Sequence, residues 1–211
     1  MYMGFTMDCE DQRYEDKYMI DVSQEKKTRI LEGTLSICNR DGLKFTMDDL
    51  AKELGMSKKT IYAIFADKEE LLLAMADYCF DSIHSEKDKI LKRQDIGLDV
   101  KIRLMLGAMP ETYLRLDLQQ LFILREKFPS VYAHVEKRLD SDWEPTIALL
   151  EKGMEEGICR KFSIPVFRTM MQSTLAQFFQ KDILIRNKLT YQDGLREVID
   201  ILVSGILKTS E

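Results

Sequence analysis

A 3.6-residue apolar period runs through almost the whole chain from Ser23 onward, and a core built on that period is a core of helices. Only 4 Pro and 10 Gly interrupt 211 residues, against 12 Met, so composition and period both predict an all-α fold. No internal repeat breaks the chain into equal units. At 45% hydrophobic residues the chain can bury the core of one mid-sized domain, or of a small domain joined to a larger one. Its apolar stretches stop short of the roughly 20 residues of a membrane span, and acids from Asp8 onward leave no signal-peptide core. These features predict a cytoplasmic protein with no membrane partner.

Ser23 is placed to cap a first helix whose stripe is Ile30, Leu31, Thr34, Leu35 and Cys38, ending at Asp41-Gly42. Thr46 and Asp49 form a Thr-x-x-Asp capping pattern ahead of Met47, Leu50, Ala51 and Leu54, the inner face of a short second helix closed by Gly55. Ser57 caps a third, with Ile61, Ile64 and Phe65 inward, and Asp67 caps a fourth that runs from Lys68 to about Leu91. Further helices are expected at about 98 to 109, 111 to 126 and 130 to 156, with a kink or restart at Pro145, and at about 164 to 186 and 191 to 208. The division expected is an acidic extension at 1–22, a helix-turn-helix domain at 23–72 and a larger helical domain at 73–211.

Phe45 to Leu72 carries the functional signal. Two short amphipathic helices joined at Gly55, behind a supporting helix, have helix-turn-helix spacing. With Ile61 at the core and about 100° per residue, Lys59, Tyr62 and Ala63 face outward, Thr60 sits at the edge and Lys58 in the exposed first turn. Cations and hydroxyls beside a small residue suit a major groove, where lysine meets phosphate or guanine and alanine permits close approach. An ordinary helical hairpin with solvated lysines would have the same spacing.

The chain carries −5, of which residues 1–22 contribute −4, and residues 23–72 hold nine basic and nine acidic residues. Binding to nucleic acid must therefore rest on placement rather than bulk charge, with Asp48 and Asp49 turned toward their own helix terminus.

The same stretch resembles the DNA-binding signature of the TetR family of bacterial transcriptional regulators. The matching residues are Thr46, Leu50-Ala51, Gly55-Met56-Ser57, Thr60-Ile61-Tyr62, Phe65 and Lys68-Glu69-Glu70-Leu71. Lys59 departs from the family pattern where a small residue is frequent, as does Ile64 where His or Tyr is common. The resemblance implies an N-terminal three-helix DNA-binding domain, a larger C-terminal ligand-binding and dimerisation domain, and a homodimer that binds a near-palindromic double-stranded operator. It assigns phosphate contacts to Thr46, Tyr62 and Lys68, with Lys68 aided by the N-terminus of helix four, and base contacts to Lys58, Lys59, Thr60 and Ala63 beside the capping Ser57. Lys26, Lys27 and Arg29 would flank them. A repressor released by a small apolar or amphipathic effector is the function it implies; an activator, or a dimeric helical adaptor without operator binding, are the alternatives.

In the larger domain, Met105, Met109, Tyr113, Phe122, Trp143 and Phe178 are candidate pocket residues, although such clusters are also ordinary core. The last two helices are apolar over a wide angle, so Phe178, Phe179, Leu195, Val198, Leu202 and Ile206 are expected at a dimer interface. His84 and His134 read as surface or capping residues, and neither belongs to a metal-ligand constellation. Cys9, Cys38, Cys79 and Cys159 have no CxxC spacing and read as reduced thiols. No GxSxG, glycine-rich phosphate loop or HExxH is present, so neither enzymatic activity nor a cofactor is expected.

Overall fold

The computed structural model describes residues 9–110 and 118–208, which fall in two compact units divided between Leu71 and Leu72. Among the described residues the secondary structure is helical, apart from one isolated antiparallel bridge between Cys159 and Leu207.

The first unit holds α1 (Cys9–Asp41), a 3-10 turn (Gly42–Lys44), α2 (Met47–Leu54), α3 (Lys58–Tyr62) and the start of α4 (Lys68–Lys92). Ser23 lies inside α1 rather than at its start, because residues 9–22 contain no Gly or Pro to stop the helix. The α1 stripe buries Ile30, Leu31, Ile37 and Cys38, and the equally buried Thr34 hydroxyl donates to the Ile30 carbonyl at 2.7 Å. Leu50, Ile61 and Leu71 join Ile30 with no exposed surface at all. Each such side chain is worth about 1.5–3 kcal/mol over its exposed state, which is how so small a unit holds three helices in place. Gly55 closes α2 at φ +61°, a left-handed conformation that disfavours any side chain, and the Met56 N–H reaches back to the Ala51 carbonyl at 2.9 Å. Arg29 donates to the Leu54 carbonyl at 2.9 Å, and Arg40 makes two 3.0 Å bonds to Glu53, so α1 grips the end of α2.

The second unit takes the rest of α4, then α5 (Leu98–Leu106), α6 (Leu118–Lys127), α7 (Pro129–Leu139), α8 (Glu144–Glu155), α9 (Ile164–Gln180), α10 (Ile183–Arg186) and α11 (Tyr191–Ser204). The expected helix at 130 to 156 restarts near Pro145, as its proline implied, and so forms two helices. Asp142 adopts φ +66° between them and Pro145 starts α8, where its missing N–H costs nothing. The expected helix at 164 to 186 divides at Lys181–Asp182 into α9 and α10. α11 opens on a Thr190–Asp193 capping box, and its chain then pairs with the segment after α8 through Arg160 N–H to Ile206 O at 2.8 Å and Lys208 N–H to Ile158 O at 3.0 Å. Gly194 lets α11 close on α9 and α10, since a Cβ there would lie 2.7 Å from a Leu184 methyl. Cys159 is buried in this core, and burial pushes its thiol pKa up.

Three expected interface residues belong to that core instead. Phe178, Leu195 and Ile206 are at most 7% exposed, because the inner stripes of α9 and α11 are consumed by Met171, Leu184, Ile199 and Val203 of the same unit. Phe179 stacks on Tyr191 at 5.3 Å, and Val198 and Leu202 are half-buried against the core. The apolar side chains that α9 and α11 leave exposed are Val166, Met170 and Ile201, the last at 68%.

Candidate nucleic-acid interface and apolar cavity

α3 owes its orientation to its caps. The Ser57 hydroxyl oxygen accepts the Thr60 N–H at 3.1 Å and shares a 2.8 Å hydrogen bond with the Thr60 hydroxyl. Ile61 and Phe65 anchor one side of the segment, which turns Lys58, Lys59, Tyr62 and Ala63 to solvent, with Thr60 half-buried at the edge. Tyr62 is 47% exposed, far more than a packing residue needs. Lys59 has no salt-bridge partner among the described residues, whereas Lys58 pairs with Asp48 of α2 across the turn. Asp48, in the first turn of α2, therefore also reaches across the turn. The pair is solvent-exposed on both sides, so it holds Lys58 weakly and leaves it free to exchange Asp48 for a phosphate or base.

Thr46 and Asp49 form the full reciprocal box. The Asp49 carboxylate accepts from the Thr46 N–H at 2.8 Å and from its hydroxyl at 2.7 Å, and the Asp49 N–H donates to the Thr46 oxygen at 3.2 Å. The side-chain and backbone hydrogen bonds from Thr46 hold the Asp49 carboxyl below its ordinary pKa.

Lys68 is placed differently from the expectation. Its ammonium turns inward, donating to the Leu43 carbonyl at 2.7 Å and to the Phe45 carbonyl, and it lies 4.0 Å from the Phe45 ring centroid. Amides at the start of α4 are likewise taken: Glu70 N–H donates to Asp67 at 2.8 Å, and Ala66 N–H to Glu70 at 2.6 Å. Lys68 in this geometry fixes the approach to α2 rather than offering a charge to a phosphate.

Within the second unit, α4, α5, α6, α7, α8, α9 and α11 line a partly open cavity of about 240 Å³. Met105, Met109 and Trp143 line it as expected. Phe178 does not, since it packs into the core, and Phe179 takes that place on the wall. Tyr113 lies outside the described residues, as does the side chain of Phe122. The polar wall was not foreseen: His84 and Lys87 from α4, Arg138 from α7, and Ser141, Asp142 and Thr146 after it. Both histidines contact carboxylates rather than standing as plain surface residues. His84 Nε2 lies 2.6 Å from Asp142, and His134 Nε2 lies 2.7 Å from Asp77, which Arg138 also contacts at 3.3 Å. Burial alone would raise the Asp142 carboxyl, but hydrogen bonds from Ser141 and His84 outweigh it and hold the pKa low. A spacing of three between His84 and Lys87, continuing the Ala76, Phe80, Ile83 stripe, is the signal that one end of the α4 inner face is polar. Among the described residues no group of His, Cys, Asp and Glu is placed to hold a metal ion, and no helix is long and apolar enough to cross a membrane.

Residues 30–75 match a family of bacterial regulatory proteins, the tetR family. Across 183 residues the chain is 24% identical to the uncharacterised HTH-type transcriptional regulator YvaF of Bacillus subtilis, covering 87% of this chain and 96% of that protein. A TetR transcription regulator from Haloarcula marismortui shares the fold with a TM-score of 0.65 at 15% identity, over 88% of this chain and 100% of that one. FadR from Bacillus subtilis, solved in complex with stearoyl-CoA, does so with a TM-score of 0.53 at 19% identity, over 85% and 98%. The matched segment begins in α1 and ends in α4, so it contains the whole outward face of α3.

Proposed function

Because the chain belongs to the TetR family of bacterial regulatory proteins, we propose that this DNA-binding regulator is a cytoplasmic repressor that holds a near-palindromic operator as a homodimer and is released by a small apolar or amphipathic effector. It is a regulator and not an enzyme. The observation that carries the reading is the outward grouping of Lys58, Lys59, Tyr62 and Ala63 on a helix whose opposite side, Ile61, is fully buried. α3 enters the major groove, where Lys58, Lys59, Thr60 and Ala63 meet base edges and Thr46, Ser57 and Tyr62 meet phosphates. Lys68 positions the α2 end of that surface. A two-fold protein presents two such helices, so the operator mirrors its symmetry. The apolar residues exposed on α9 and α11, Val166, Met170 and Ile201, support self-association there.

The effector occupies the cavity of the larger unit. α4 lines that cavity and also supplies Lys68, so a ligand that prefers one placement of α4 is coupled to the reading surface. The coupling can be no larger than that preference, typically about 1–3 kcal/mol. Mobility-shift titration of the purified chain against fragments of genomic DNA tests the reading. A discrete complex at submicromolar protein, of dimer stoichiometry and weakened in Lys59→Ala, is expected; binding that is equal for all fragments would reject it.

A further inference from the structure

We propose that the cavity takes a compact anionic amphiphile, a monocarboxylic acid of about eight carbons, with its acid group against Lys87 and its apolar body among Met105, Met109, Trp143 and Leu175. The proposal rests on the effector reading above and names the ligand's chemical class. The first support is the distribution of the wall. Most of its residues are apolar, and four polar ones gather together: His84 meets Asp142 at 2.6 Å, Ser141 donates to Asp142 at 2.5 Å, and Lys87 points at the Asp142 backbone. A mostly apolar ligand with one polar end suits this wall.

The second support is the charge account of that end. Arg138 is already held by Asp77 at 3.3 Å and Asp81 at 2.9 Å, and the Asp142 carboxylate is taken by His84 and Ser141. Lys87 has no carboxylate within salt-bridge distance among the described residues, and its hydrogen bond to the Asp142 carbonyl is a long 3.5 Å. Burial pushes its pKa down, and the charge of the nearby Asp142 only partly offsets that. Arg138 Nε is also buried with no hydrogen-bond partner. A ligand carboxylate supplies the missing partner; a neutral head leaves Lys87 as it is, and a cationic head meets both Lys87 and Arg138.

The third support is size. A cavity of about 240 Å³ holds roughly eight water-sized groups and lies below the usual range for drug-sized ligands. An acid of octanoate's dimensions fits it.

Trp143 is the chain's sole tryptophan and lines the cavity, so its fluorescence reports occupancy directly. Octanoate, 1-octanol and octylammonium are titrated into the purified full chain, followed by Trp emission and thermal shift, and repeated with Lys87→Met and Lys87→Arg. The expected result is that octanoate binds about tenfold or more tighter than either isostere, that Lys87→Met removes this preference, and that Lys87→Arg keeps it. Octanol binding as tightly as octanoate, or an unchanged preference in a folded Lys87→Met, overturns the acid assignment while leaving the effector cavity standing. Octanoate that binds as expected yet leaves operator affinity unchanged overturns the effector reading and leaves the acid site standing. Failure of all three to bind overturns both.

Discussion

Replacing Lys68 by Met separates a residue that shapes the reading surface from one that touches DNA. The ammonium gives two hydrogen bonds to backbone carbonyls, Leu43 at 2.7 Å and Phe45, and sits 4.0 Å from an aromatic centroid. Bonds from a charged donor are worth about 1.5–3 kcal/mol each and a cation over a ring about 0.5–2. The three share one charge and water reaches the half-buried site, so they do not sum, and we expect a net loss of about 2–3 kcal/mol. In a chain of this size that lowers Tm by about 4–12 °C, with the urea m-value unchanged. Methionine keeps the apolar stem, so the loss reports the charge. Operator affinity should fall because the start of α2 is released, but the salt dependence of binding should stay as it is. A phosphate contact would behave otherwise: its removal lowers the slope of log K against log salt by about 0.9. A Lys68→Met variant with wild-type Tm and a slope reduced by about one would refute the positioning role.

Lys59→Ala should relax sequence preference at one or two base pairs by about 1–3 kcal/mol without changing stability, measured by competition against single-base operator variants. Ile201→Glu should give folded monomers in sedimentation, whereas Phe178→Glu should unfold the chain, because the first side chain is exposed and the second is core. The Asp142 carboxyl is held below its ordinary 3.8, so the stability it contributes is complete above that value and is lost as pH falls through the lower folded value. Asp142→Asn should therefore be less stable than wild type at pH 7 and show a flatter acid-unfolding curve below about pH 4.

Local chemistry was readable in the sequence wherever a single element decides it. The Thr46–Asp49 box, the left-handed Gly55 and the Ser57 cap follow from residue types at fixed offsets, and with them the outward face of α3. Thr190–Asp193 carries the same pattern and marks the start of α11 just as clearly. What failed to show was partner choice across elements. Nothing in the spacing of Lys68 says that its ammonium folds back on Leu43 and Phe45, nor that Asp48 reaches Lys58 across the turn. Adjacent phenylalanines present the same difficulty: Phe178 and Phe179 are 100° apart on α9, and only packing against Leu184 and Gly194 decides that the first is core and the second lines the cavity. The polar end of the cavity is not legible in the sequence because its members lie far apart along the chain, from His84 and Lys87 to Asp142.

Selection of sheared genomic DNA on the purified chain, followed by sequencing, tests most directly whether the face of α3 reads duplex DNA. The account predicts enrichment of one two-fold symmetric motif, bound by two protomers per site and lost when Lys59 and Tyr62 are both replaced by Ala. Enrichment of no motif, or a motif retained in full by that double variant, would contradict it.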